Sequence, residues 1–186
     1  MKKVSFTVIV LSLLIFSAFT TPKAKLISKD THISFYSHTA VEDITANNYK
    51  VISTLDTATG DIVYSVPMQS FEFEKALMQK HYNSKKFLDT KNHPKSKFKG
   101  KISDLTSVSF DKDGTYEVIV TGDLTIKGTT NAIEEKASIT VEGGKVSLNT
   151  KMKVVLGAYG ITFSGGKPSS NIAKEIEVTV TSIYGN

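Results

Sequence analysis

The 186-residue chain contains no cysteine, and that absence removes several kinds of chemistry. There is no thiol nucleophile, no thiolate metal ligand and no disulfide framework, so stability must come from packing alone. Nor is there a cysteine to acylate behind an export signal, which excludes a lipid tether of that kind. Arginine is missing too, since all 23 basic residues are lysine. With no arginine and few aromatics placed to meet bases, the chain is a poor nucleic-acid binder, and no nucleic-acid partner is expected. It also lacks a Gly-x-Ser-x-Gly elbow and a His-Glu-x-x-His zinc helix. No low-complexity tract or internal linker interrupts it.

What is present begins with an address. Met1-Lys2-Lys3 precedes an uncharged run over residues 4–21 rich in Val, Ile, Leu and Phe, and Pro22-Lys23 follows. A basic start and an apolar stretch read as a secretory signal peptide, so the expected location is periplasmic or secreted. A membrane anchor competes, because the run is near the lower length for spanning a bilayer. No charged stop-transfer flank or second apolar span follows, which favours a cleaved signal. Ala18 and Ala24 are both candidate ends. Removing residues 1–24 leaves residues 25–186, a single domain large enough to bury a real core. It keeps 20 lysines against 18 acidic residues, a net charge of +2 where the whole chain has +5.

Two periodicities meet in residues 71–128. Residues 73–83 place Phe73, Leu77, Met78, His81 and Tyr82 on one side of a short helix, expected over residues 74–83. From Lys95 the pattern becomes strict alternation, with Lys95, Lys97, Lys99 and Lys101 pointing one way and Phe98, Gly100 and Ile102 the other. The same two-residue period runs through Tyr116, Val118, Val120, Gly122, Leu124, Ile126 and Gly128. So long a strand belongs to a large curved sheet.

Elsewhere, residues 32–36 read as a first strand, and residues 49–56 and 61–71 as a hairpin turning at Thr59-Gly60-Asp61. Pro67 is expected to bulge the second arm or place it at an edge, because proline cannot donate to a ladder. Residues 108–110 read as a strand, followed by a turn at Asp111-Lys112-Asp113-Gly114. Thr129-Thr130-Asn131 is expected to be a connection before a strand over residues 136–142. Gly143-Gly144 is the strongest hairpin turn, because both positions accept positive φ. A return strand follows, residues 157–170 read as a loop, and residues 172–183 close the chain. The total is an all-β antiparallel meander of about eight strands with one short helix. Periodicity does not say whether such a meander stacks as a sandwich or closes as a barrel.

At these positions the chain also resembles a known family. Ser70-Phe71-Glu72-Phe73, residues 77–83, the stretch from Phe87-Leu88-Asp89 to His93-Pro94-Lys95, Phe98-Lys99-Gly100-Lys101-Ile102 and residues 122–128 together, in this order and spacing, resemble the YceI-like family. The resemblance implies a secreted bacterial lipocalin-like β-barrel of a kind that in some members holds polyisoprenoid lipids. It favours the barrel over the sandwich. It also implies that His81-Tyr82-Asn83 packs the helix onto the barrel, with Tyr82 where the family pattern has phenylalanine.

Three other motifs yield bland readings. Residues 160–168 look briefly like a phosphate loop, but the lysine is one position late and Pro168 replaces the magnesium-binding hydroxyl. Asp111-Lys112-Asp113-Gly114 imitates the start of a calcium loop without the closing glutamate, so a turn is expected. Glu72 and Glu74, with His81, form the one conceivable acid and base set, yet carboxylates this close more often decorate a solvated strand end. The remaining histidines, His32, His38 and His93, are not at metal-ligand spacing. No enzyme activity, metal or cofactor is expected.

Between positions 80 and 101 stand eight lysines, Lys80, Lys85, Lys86, Lys91, Lys95, Lys97, Lys99 and Lys101, against Asp89 alone. This region is a candidate for transient contact with an anionic membrane surface or lipid head group. The plainer reading, that outward lysines keep the sheet soluble and block edge pairing, is favoured.

The candidate site is the barrel lumen. On the inward faces stand Phe35; Tyr64, Val66, Met68 and Phe71; Leu77 and Met78 of the helix; Phe98 and Ile102; Val118, Val120 and Leu124; Met152 and Val154; and Ile176 and Val178. An apolar lumen suits a long hydrocarbon, since each buried methylene contributes about 0.8 kcal/mol, and methionines adapt to an irregular chain. The expected function is therefore binding of an apolar small molecule, an isoprenoid or quinone-like lipid, for storage or transport without catalysis. The alternative is a filled structural barrel that acts as an envelope protein-interaction module.

Overall fold

The structure is a computed structural model that describes residues 25–162 and 171–185. The expected signal peptide and much of the phosphate-loop look-alike lie outside the described residues. Eleven strands share one antiparallel sheet: β1 (Lys25–Ser28), β2 (Asp30–His38), β3 (Asp43–Asn48), β4 (Ile52–Asp56), β5 (Asp61–Pro67), β6 (Glu72–Phe73), β7 (Lys95–Ile102), β8 (Gly114–Ile126), β9 (Thr129–Glu142), β10 (Lys145–Val155) and β11 (Glu175–Tyr184). Among the described residues one α-helix, α1 (Ala76–Asn83), lies between β6 and β7.

The register explains why eleven segments fill eight places around the barrel. β1 pairs with β4 from Lys25↔Asp56 to Ser28↔Ser53, and β2 pairs with β3 from Ile33↔Asn48 to His38↔Asp43. Both ladders keep the same offset, so β1 with β2 and β3 with β4 are two long strands of one hairpin, each briefly interrupted. β5 pairs with β4, β7 with β5, and the ladder continues through β8, β9, β10 and β11 back to β2. The sheet therefore returns on itself, which removes free edges over most of its length. β6 is a two-residue addition against β3, at Ala46↔Phe73 and Asn47↔Glu72.

Local chemistry sets the turns. Gly143 and Gly144 have φ of 56° and 80°, a tight link between Glu142 and Lys145. Lys127 and Gly128 do the same between β8 and β9, with φ of 50° and 82°. β9 thus starts at Thr129, where a connection was expected. Residues 129–135 hide this continuation because five of the seven are hydroxyl, amide or acid side chains. Asp113 binds the neighbouring turn, its carboxylate accepting from the Gly143 N–H at 3.1 Å.

Three other expectations are corrected. Pro67 neither bulges β5 nor sits at a free edge; it pairs with Lys95 as the last residue of β5, and the chain then leaves the sheet through a 3₁₀ turn at Met68–Ser70. Residues 108–110 are not a strand but follow a 3₁₀ turn at Leu105–Ser107, laying Leu105, Val108 and Phe110 half-buried against the core. The second long strand begins at Asp43, not at Tyr49; in β3 the buried side chains are Ile44, Ala46 and Asn48, only two of them apolar.

Gly100 and Gly122 face each other across β7 and β8. A Cβ on Gly122 would collide with the Gly100 backbone, and one on Gly100 would collide with the Thr121 carbonyl and the Phe98 ring. The two strands approach so closely here that only glycine fits at either position.

Candidate functional site

The Gly100–Gly122 level divides the interior. Below it the barrel is filled. Leu55, Ile62, Ile139 and Tyr184 have no exposed surface, and Ile102, Val118, Val120, Val141, Val146 and Leu148 pack among them. The remaining polar groups at this end bind one another. Thr31 Oγ1 donates to Ser28 Oγ at 3.1 Å and lies 3.0 and 3.2 Å from the Ser53 and Ser182 hydroxyls. Tyr64 Oη is 3.0 Å from Ser182 Oγ, and Tyr184 Oη donates to Tyr64 Oη at 3.4 Å. Burial pushes the Tyr64 phenol well above its ordinary range, so this network stays uncharged.

Above it the same strands enclose a cavity of about 760 Å³. Its walls are Ile33, Phe35, Ile44, Val66, Met68 and Phe71 on one side and Leu124, Ile126, Met152, Val154, Ile176 and Val178 on the other. α1 and the segment behind it cover the open end with Leu77, Met78, Tyr82, Phe87 and Leu88. Glu42, Lys75, His81, Ser84, Lys86 and Asn171 supply the polar border. This volume falls within the range of small-molecule sites, and its lining is predominantly apolar.

α1 is held by few contacts of its own. Gln79 Nε2 donates to the Phe71 carbonyl at 2.7 Å, and Lys75 Nζ bonds Glu42 Oε1 at 3.0 Å. Asn171 Nδ2 donates to the other Glu42 oxygen at 3.4 Å. The Lys75 ammonium, with help from Asn171, holds the Glu42 carboxyl below its ordinary range. These contacts tie the β2–β3 connection, the helix start and the segment leading into β11 into one strap beside the cavity.

One helix face was expected to be buried, yet within α1 only Tyr82 is buried. Leu77 is 62 % exposed and His81 is also exposed, although both border the cavity. The helix lies over a hollow, so the side turned to the barrel meets space where a filled core would have met side chains. Tyr82 is the exception. Its ring packs against Phe35, Phe71, Phe73 and Phe87, with centroids 6.0, 5.7, 4.9 and 6.4 Å away.

The lumen residues expected from sequence separate at the glycine level. Phe35, Val66, Met68, Phe71, Leu77, Met78, Leu124, Met152, Val154, Ile176 and Val178 border the cavity. Tyr64, Phe98, Ile102, Val118 and Val120 do not; they belong to the filled half or its upper boundary, where the Phe98 ring lies over Gly100 and 6.3 Å from that of Tyr64. Sequence reasoning missed Ile33, Ile44, Ile126, Leu156, Ile161 and Ile172. Ile33 and Ile126 were legible from the same alternation, whereas Ile44 lay between the segments read as strands, and Leu156, Ile161 and Ile172 flank or fall in the expected loop.

The other candidate groups stand apart from the cavity. Glu72 and Glu74 are exposed on an outer groove with Asp43, away from His81. His38 pairs with Asp43 at 2.6 Å, and His32 stacks on Tyr49 while its Nε2 meets Asn47 Oδ1 at 2.9 Å. Among the described residues no group of three or more His, Asp or Glu side chains is placed to hold a metal ion, and no helix is long and apolar enough to cross a membrane.

Comparison with known proteins gives a consistent fold. BcnA from Burkholderia cenocepacia superposes with a TM-score of 0.70 at 18 % identity, over 82 % of this chain and 95 % of its own. A polyisoprenoid binding domain from Saccharophagus degradans, implicated in plant cell wall breakdown, gives 0.71 at 11 % identity, over 87 % and 97 %. A Campylobacter jejuni YceI protein gives 0.54 at 16 % identity, over 100 % and 94 %. No curated protein matches the sequence significantly. The YceI-like domain profile matches residues 25–182, nearly the whole described barrel. The chain therefore belongs to the YceI-like domain family, the family its Phe71, His81-Tyr82-Asn83 and Gly122 segments resemble.

Proposed function

We propose that this protein binds one apolar lipid, an isoprenoid or quinone-like chain, in the upper half of its barrel and carries or stores it without chemical change. The observation that supports this most is the roughly 760 Å³ apolar cavity, continuous from Leu124 and Met152 to the exposed Leu77 at the helix. The similarity to a structure described as a polyisoprenoid binding domain adds to it. Burying each methylene of such a chain contributes about 0.8 kcal/mol. Met68, Met78 and Met152 border the cavity and can adapt to an irregular occupant. Catalysis is not part of this reading, because Glu72 and Glu74 open onto the outer groove and not onto the cavity.

The reading extends to place. Residues 1–24 act as a signal peptide, leaving residues 25–186 as a periplasmic or secreted domain. Contact with a membrane surface is transient and runs through Lys80, Lys85 and Lys86 near the open end, while the lysines of β7 project from the barrel wall.

The test is mass spectrometry of the organic extract of protein purified without detergent, together with the native mass of the complex. One apolar lipid per chain, or stoichiometric uptake of added isoprenoid, is the expected result. Protein that is empty and stays empty when isoprenoids are supplied overturns the reading and leaves a structural barrel with a protein partner.

A further inference from the structure

We propose that the Tyr82 hydroxyl is a hydrogen-bonding anchor for an oxygen atom on the cavity ligand, so that an oxygenated apolar chain is preferred over a bare hydrocarbon. This rests on the lipid-binding reading above and adds what kind of lipid the cavity selects.

The argument is a comparison of hydroxyl groups. In the filled half, Ser28, Thr31, Ser53, Ser182, Tyr64 and Tyr184 all find partners in one another. In the cavity wall, the Ser37 hydroxyl accepts from the Ala173 N–H at 2.9 Å. Tyr82 differs. Its side chain is 6 % exposed, and among the described residues its hydroxyl is the one buried side-chain polar atom with no hydrogen-bond partner. A buried unpaired hydroxyl is destabilising, and a phenylalanine would fill the same space among Phe35, Phe71, Phe73 and Phe87 without that cost.

The position of the ring decides what can satisfy the group. Tyr82 is part of the cavity wall, and its hydroxyl is covered from bulk water and, in the ligand-free protein, from the cavity space beside it. Leu77 and Met78 border the same space from the preceding turn, and their flexible side chains can shift to admit a ligand atom. Burial keeps the phenol protonated, so it is a ready donor to a carbonyl, ether or hydroxyl oxygen. Ser96 supplies a second hydroxyl to this cavity, engaged only by the weakly accepting Met68 sulfur at 2.9 Å. Both point to an occupant with a polar atom inside the wall, beyond the reach of the charged border.

The experiment compares Tyr82→Phe with the parent protein, using geranylgeraniol and the matching hydrocarbon without its oxygen as probes in competition with a bound fluorescent polyene. The parent is expected to prefer the alcohol by about tenfold, the scale of one net hydrogen bond. In Tyr82→Phe that preference should vanish through loss of alcohol affinity, and the Tm of ligand-free protein should rise. A parent that binds both probes equally, or a variant that keeps the preference, overturns the anchor and leaves lipid binding intact. Failure of the polyene and both probes to bind overturns lipid binding and the anchor with it.

Discussion

Below the Gly100–Gly122 pair, inward side chains fill the barrel and its hydroxyl groups are paired; above the pair, the same strands with the same alternation surround open space. Nothing in the two-residue period distinguishes these halves. The difference lies in how each end is closed. At the base, Tyr64 and Tyr184 reach across the interior and meet Ser182 and Thr31, so side chains from three strands close the floor. At the other end a helix spans the opening and contributes one buried residue, Tyr82. A barrel of eight strands can be filled or hold a small ligand, and this one does the first below the glycines and has room for the second above them.

Gly122→Ala tests the division most severely, because a methyl group there meets the Gly100 backbone, which cannot yield. A loss of about 3 kcal/mol or more is expected in urea unfolding, beyond ordinary overpacking. Gly157→Ala is the control. Its added methyl meets nothing, and the change should stay within about 0.5 kcal/mol.

The next test sets one half against the other. Ile139→Ala removes a fully buried side chain from the filled half and should cost about 2–5 kcal/mol. Met152→Ala enlarges a space that already exists, so it should cost about 1 kcal/mol or less in ligand-free protein. Equal costs would show that the upper half is as tightly filled as the base.

Ser182→Ala probes the paired hydroxyls. It removes a partner of both Thr31 and Tyr64, and a loss of about 1–3 kcal/mol is expected from the polar groups left unmatched. The opposite sign expected for Tyr82→Phe makes the pair a direct contrast between the halves.

The smallest effect concerns the strap. Glu42 has its carboxyl pKa lowered by Lys75, so its contribution is fully present above the unfolded carboxylate pKa and is lost as pH falls through the lowered folded value. Ligand release measured against pH should quicken over that acidic window, and Glu42→Gln should flatten the dependence.

Much of this fold was legible because its residues follow simple rules. The alternation around Phe98 and from Tyr116 to Ile126, and the Gly143-Gly144 turn, appear where sequence placed them, whereas Gly128 belongs to the turn and not to the strand. The parts that were not legible carry a weak apolar signal. β3 turns inward only Ile44 and Ala46 from its apolar residues, and the first half of β9 contains Thr129, Thr130, Asn131, Glu134 and Glu135. These segments are strands because paired neighbours complete their backbone hydrogen bonds, which is a non-local cause. The lumen was legible as a face but not as a depth. Tyr64 and Val66 are two residues apart and share that face, yet Val66 borders the cavity and Tyr64 helps close the floor.

By itself, then, the sequence determined which side chains of the long apolar strands turn inward, where the Gly60 and Gly143-Gly144 turns fall, and that stability must come from packing without disulfides. Those properties depend on neighbours two to four positions apart or on composition. Tertiary structure alone decided that the barrel is hollow at one end, that five of the sixteen expected lumen residues do not border the cavity, and that the Tyr82 hydroxyl has no partner. These depend on the distance across a closed barrel, which is set by strand number, stagger and the helix laid over the opening.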